Sequence, residues 1–166
     1  MQMAITSMSA MWFLPFAILI SVWVAWSDMK FMKIPNVAVL ALVVVFLVIG
    51  LITLPMDEYL RRWLHLAVIL AIGFLCSTLG LLGAGDAKFS AAIAPFVAWG
   101  DAAKMLYLLA TVVFAALITH RLLQRSKSVR KLTPDWKSWD NKDFPMGFAL
   151  GGALVAYLAL GVAYGQ

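Results

Sequence analysis

Charged and polar positions divide this chain into long apolar runs, too long and too uniformly apolar for the one-sided faces of a soluble bundle. The first run, up to Trp26, holds no charged residue. It lacks the basic start of a secretory leader and exceeds the usual length of a leader's apolar core. It therefore predicts a retained membrane helix over about 10–26, kinked at Pro15 and anchored at the interface by Trp12, Trp23 and Trp26. Asp28 follows just beyond its expected end. A short basic loop carries Lys30 and Lys33, and Pro35 suits the first turn of a second helix, where its missing N–H leaves no bond unmade. That helix is expected to reach residue 54. A polar turn at 55–62 (Pro55, Asp57, Glu58, Arg61, Arg62) then reverses the chain into a third helix over 63–82, which returns to Asp86.

The fourth run, 87–99, is about 20 Å long as a helix, against a hydrocarbon core of about 30 Å, so it either spans a thinned region or re-enters. A fifth helix at 102–119, a polar loop at 121–143 and a sixth helix at 144–163 complete the pattern. Charge favours the span. With it, ten Lys and Arg fall on one side against three (Arg61, Arg62, Lys104), and the positive-inside rule makes the rich side cytoplasmic. The expectation is an all-α polytopic membrane protein of about six helices, one transmembrane domain over 1–166, with both termini outside and a basic cytoplasmic loop at 121–143.

Composition agrees: 64% of the 166 residues are hydrophobic and the mean hydropathy is +0.93, beyond what a soluble domain of this length could hide. One cysteine, Cys76, excludes a disulfide framework and reads as a helix-packing residue. His65 and His120 stand without ligand-type neighbours and read as interfacial polar residues, so neither metal nor other cofactor is expected. The net charge of +5 reports topology and contact with anionic lipid before nucleic acid, which is not an expected partner.

Two stretches carry candidate chemistry. Asp28, Lys30 and Phe31 are echoed by Asp86, Lys88 and Phe89, and each aspartate stands at the edge of an apolar run. A carboxylate near membrane depth is costly and by default a functional candidate; the competing reading is a solvated helix cap. Two helices separate the pair, which puts both acids on one face of the membrane. Two carboxylates held close in a poorly solvated place cannot both ionise cheaply, which is the arrangement of an aspartyl-protease dyad. The ionised member takes a proton from the attacking water and the protonated member donates to the carbonyl oxygen. Lys30 and Lys88 would disturb such a pair if turned inward and are expected to snorkel to headgroups. Gly83 and Gly85 either let the backbone bend so that a substrate strand reaches Asp86, or merely end the third helix. Gly147 and Gly151, followed by Gly152, permit close helix approach.

Gly83-Ala84-Gly85-Asp86 is similar to the Gly-x-Gly-Asp motif of intramembrane aspartyl proteases, and Ala87-Lys88-Phe89 continues it as in the type IV prepilin peptidases. Asp28 with Ile34-Pro35-Asn36 resembles that family's other catalytic stretch, and Pro145-Met146-Gly147 resembles its Pro-x-Gly, where an aromatic residue is more usual in the middle. The resemblance runs from Asp28 to Gly147. It implies a hydrolase of the bacterial inner membrane that removes the basic leader of prepilin or pseudopilin substrates at the cytoplasmic face. Asp28 and Asp86 would be the catalytic pair, with Gly83, Gly85, Lys30, Lys88, Pro35, Asn36, Pro145 and Gly147 shaping the site or binding substrate. The four-cysteine region of the larger, methylating members has no counterpart here. That points to the short, peptidase-only branch serving Flp-type pili of Tad/Cpa systems, with pilus-assembly machinery as a further partner. Archaeal preflagellin peptidases are also similar.

Two other classes fit paired membrane acids. A proton- or ion-coupled carrier would place them near the midplane between repeats, whereas these lie at the edge. A non-catalytic membrane subunit would use them only as caps and topology marks.

Overall fold

The computed structural model describes residues 2–166, and every regular element in it is helical. In order these are α1 (Ser7–Phe31), α2 (Asn36–Thr53), α3 (Met56–Thr78), α4 (Ala84–Ile93), α5 (Ala102–Arg125), α6 (Lys127–Leu132) and α7 (Met146–Tyr164). Short 3₁₀ turns at Ala94–Phe96, Trp99–Asp101 and Lys137–Trp139 complete the order. Five helices are long and apolar enough to cross a membrane: α1, α2, α3, α5 with its preceding turn, and α7. Helix α4, only 10 residues long, is not among them; it runs from the Asp28 end of the bundle to the opposite end.

Most boundaries fall within about a turn of the expected ones; the exceptions are the ends of α1, α4 and α5 and the start of α3. Helix α1 does not stop before Asp28. It continues to Phe31, so Asp28 lies in its last turn, and the chain leaves through Met32 in the left-handed region at φ 54°. The Ser27 hydroxyl closes that turn by donating to the Lys33 carbonyl at 2.9 Å. Residues 56–62 are not a free polar turn but the first two turns of α3, with Asp57 and Glu58 as first-turn acids, where they suit the helix dipole. Helix α3 ends early, at Thr78, in a Schellman-type cap: Gly80 takes φ 72°, the Leu81 N–H reaches the Cys76 carbonyl, and the Gly80 N–H reaches that of Ser77. Beyond its expected end α5 adds a further turn and a half, to Arg125.

Helix α1 is the hub. Its most extensive partner is α7, and the glycines of α7 explain the closeness. A Cβ on Gly151 would lie 2.9 Å from the Ser21 Cβ and 3.2 Å from its Cα, and one on Gly161 would lie 2.8 Å from Ile5 and 2.9 Å from Ala10. Gly152 faces Val112 of α5 instead. On the other side of α1, Phe13, Phe46, Tyr59, Trp63 and Phe96 form one aromatic cluster joining α1, α2, α3 and the end of α4.

At the end of the bundle away from Asp28, irregular backbone is fully provided for, as low-dielectric surroundings demand. The Asp101 carboxylate, completely buried, accepts from the Ala4 and Ile5 N–H groups, the Lys104 ammonium and the Tyr157 hydroxyl. Tyr157 in turn accepts from the Ala98 N–H at 3.1 Å. At the Asp28 end, the segment between α6 and α7 folds over α1 and α5. The Ser138 hydroxyl meets the Met29 sulfur, and His120 stacks on Trp139 at 5.3 Å. His120 is therefore buried in protein, at 2% exposure, and not an interfacial residue. His65 lies beside Trp99, and Cys76 is half-buried on α3.

Candidate active site

Asp28 reaches its position because α1 overruns the expected end, which turns its side chain inward against α7. It is 5% exposed, and its Oδ2 accepts from the Gly147 N–H at 2.7 Å. That N–H is an orphan donor of a helix N-terminus: Pro145 is the N-cap of α7 and Gly147 stands in the first turn. Pro145 is buried and has no N–H of its own to satisfy.

Asp86 lies in the first turn of α4, three residues after its N-cap, Gly83. From there its carboxylate folds back toward the Gly83 backbone, the position from which the N3 acid of a capping box faces the N-cap. The cap reading and the functional reading thus describe one geometry. Gly83 and Gly85 do not carry the backbone reversal, which falls at Gly80. Gly83 is extended, at φ −63° and ψ 140°, and Gly85 is helical. What they provide is room. A Cβ on Gly83 would lie 2.6 Å from the Asp86 Oδ2, and one on Gly85 would lie 3.5 Å from the Ile34 Cβ.

Asp28 and Asp86 line one half-open cavity of about 350 Å³. Met32, Lys33, Ile34, Asn36, Gly83, Ala84, Gly85 and Lys88 complete the lining. Lys88 is exposed at the rim, its ammonium 3.4 Å from the Asn36 Oδ1. Lys30 does not line the cavity; its ammonium lies over the Trp26 and Phe31 rings, at 5.2 and 5.3 Å. Pro35 caps α2 immediately behind the lining. No group of three His, Cys, Asp or Glu side chains among the described residues is placed to hold a metal ion.

Two participants carry little signal in the chain. Met32 enters the lining through a left-handed conformation that nothing in a methionine announces. Ile34 belongs to the Ile-Pro-Asn stretch, yet its contribution is tertiary: it sits between Gly85 of α4 and Gly147 of α7, whose absent Cβ would lie 3.1 Å from its Cδ1.

The fold is that of a multi-pass membrane protein, and a comparison with family models places it further. The model of the type IV leader peptidase family matches residues 12–120, which run from within α1 to within α5 and include both aspartates. The chain belongs to that family and is an aspartic peptidase. The family acts on prepilins and resides in the bacterial inner membrane. Searches of curated proteins and of solved structures gave no match.

Proposed function

We propose that the chain hydrolyses the leader of Flp-type prepilins of Tad/Cpa systems with Asp28 and Asp86 as its catalytic pair, in a single transmembrane peptidase domain. The observation that carries this reading is the shared cavity, which carboxylates from two separate helices line at one end of the bundle. One aspartate, ionised, takes a proton from a water that attacks the scissile carbonyl; the other, protonated, donates to the carbonyl oxygen. Collapse of the tetrahedral intermediate breaks the C–N bond and passes a proton to the leaving amine, which regenerates the pair. No covalent intermediate is required.

The Asp28 end faces the cytoplasm in this reading, with both termini on the other side. Support comes from the basic segment around α6, which packs against Met29 and so gathers Arg121, Arg125, Lys127, Arg130 and Lys131 at the same end. Those charges suit anionic headgroups and repel a basic leader, so recognition rests on the apolar helix that follows the scissile bond, packed between membrane helices. Lys88 and Asn36 meet the chain at the rim, Lys30 is an interfacial anchor, and Pro35, Pro145 and Gly147 hold the walls.

The test is cleavage of a Flp-type prepilin by the purified protein in lipid, read by mass spectrometry, for wild type, Asp28→Asn and Asp86→Asn. A single cut before the apolar helix, lost in both variants, is expected. Cleavage that survives either change removes the two-aspartate mechanism.

A further inference from the structure

Helix α4 carries Asp86 at one end and stops on a buried charge at the other. Its 10 residues cover about 15 Å, roughly half of a hydrocarbon core, and the chain then breaks out of helix at Val97. The break leaves the Pro95 and Phe96 carbonyls without helical partners in a buried setting. Arg62 of α3 fills that gap: its Nη1 donates to the Pro95 oxygen at 3.2 Å and to the Phe96 oxygen at 3.1 Å. The guanidinium is 2% exposed, and Glu58, one turn earlier, neutralises it by accepting from Nε and Nη2. A cation placed on orphan carbonyls at a helix C-terminus is favourable both as hydrogen bonding and against the helix dipole.

The same face of α3 grips α4 a second time. Gly73, three helical turns after Arg62, lets Ala87 approach so closely that a Cβ on the glycine would lie 3.0 Å from that of Ala87, the residue next to Asp86. Helix α4 is thus clamped near both ends by α3, loosely bonded by van der Waals contact at the Asp86 end and by charge-assisted hydrogen bonds at the other. Sliding or tilting of so short a rod moves the carboxylate directly.

We propose that Arg62 is a positioning residue for Asp86: its grip on the Pro95 and Phe96 carbonyls fixes the depth of α4, and the helix transmits that placement to the carboxylate in the cavity. The inference rests on the reading of Asp86 as a catalytic group. Its consequence is that the distance from Asp28 to Asp86 depends on a side chain at the far end of the bundle.

Two readouts test this, with prepilin cleavage and with disulfide formation between D28C and D86C in a C76A background under mild oxidant. Arg62→Met is expected to lower kcat per folded protein by about tenfold to a hundredfold at unchanged KM, the range for a reacting group misplaced by an ångström. It is also expected to cut the D28C–D86C disulfide yield several-fold. Where Arg62→Met does not fold, Arg62→Lys, which keeps the charge but not the two-carbonyl grip, carries both measurements. Wild-type kcat, or a lowered kcat with an unchanged disulfide yield, overturns the inference. An active Asp86→Asn would instead overturn the reading beneath it, whatever Arg62 does.

Discussion

The backbone N–H of Gly147 donates to the Asp28 Oδ2 at 2.7 Å, joining the first turn of α7 to the last turn of α1 across 119 positions of sequence. The bond requires that residue 147 have no side chain. A Cβ there would lie 2.9 Å from the Val24 Cγ1 and 3.0 Å from the same carboxylate oxygen. Gly147→Ala must therefore push α7 off α1 or turn the Asp28 carboxylate away. Cleavage is expected to fall by about tenfold or more, as for a reacting group displaced by a fraction of an ångström. Steady-state cleavage beside a monodisperse elution profile measures it; wild-type turnover would mean that the Gly147 contact does not constrain Asp28.

The two glycines before Asp86 separate in the same assay. An alanine Cβ at position 83 would lie 2.6 Å from the Asp86 Oδ2, whereas one at 85 would meet Ile34 at an ordinary 3.5 Å. Gly83→Ala leaves the backbone unstrained, since its φ of −63° suits any residue, and it displaces only the carboxylate. Cleavage by Gly83→Ala is expected to drop at least about tenfold with an unchanged melting temperature, while Gly85→Ala stays within a few-fold of wild type. The reverse order would show that the tight packing lies at Gly85.

That contrast marks how far the chain alone could be read. Apolar runs and charge asymmetry gave the helices and the pairing of Asp28 with Asp86 at one end, because membrane helices are specified by length and composition. Gly147 and Gly151 were readable as close-approach positions, and Gly151 does meet Ser21 backbone atoms. Contacts made by residues that look ordinary were not readable. Arg62 reads as part of a polar turn, yet it is buried where the broken end of α4 leaves two carbonyls to satisfy. Asp101 looks like an ordinary acid between two apolar runs, although four donors converge on it, Lys104 from the next turn and Ala4, Ile5 and Tyr157 from two distant segments. Such roles depend on which backbone groups are orphaned, and only tertiary structure decides that.

His120 offers a stability test. It is buried between Trp139 and Phe144, with ring centroids 5.3 and 5.7 Å away, and neither ring nitrogen has a hydrogen-bond partner among the described residues. A buried polar atom without a partner costs about 1–3 kcal/mol, while an aromatic ring of similar shape keeps the stacking. His120→Phe is therefore expected to raise the melting temperature by a few degrees and leave cleavage intact. A lowered melting temperature would mean that a nitrogen of His120 is satisfied in the membrane by a partner such as water.

Asp101 gives the opposite case, far from the cavity. Its carboxylate is fully buried and accepts from Ala4, Ile5, Lys104 and Tyr157, so it ties the N-terminal segment to α5 and α7. Asp101→Asn keeps the size but turns one acceptor oxygen into an NH₂ group facing donors, and it leaves Lys104 without its counter-charge. Breaking a buried charged network by removing one partner costs about 3–5 kcal/mol. For a chain of this length that corresponds to a fall of roughly 6–20 °C in melting temperature. Tyr157→Phe should fall between this variant and wild type, because it removes one donor to Asp101 and orphans the Ala98 N–H. Both variants are expected to cleave at wild-type rates well below their melting temperatures, since the aspartate pair sits at the other end of the bundle. Thermal melts and low-temperature cleavage on the same preparations decide it: loss of cleavage with an unchanged melt would place Asp101 in the chemistry instead of in the scaffold.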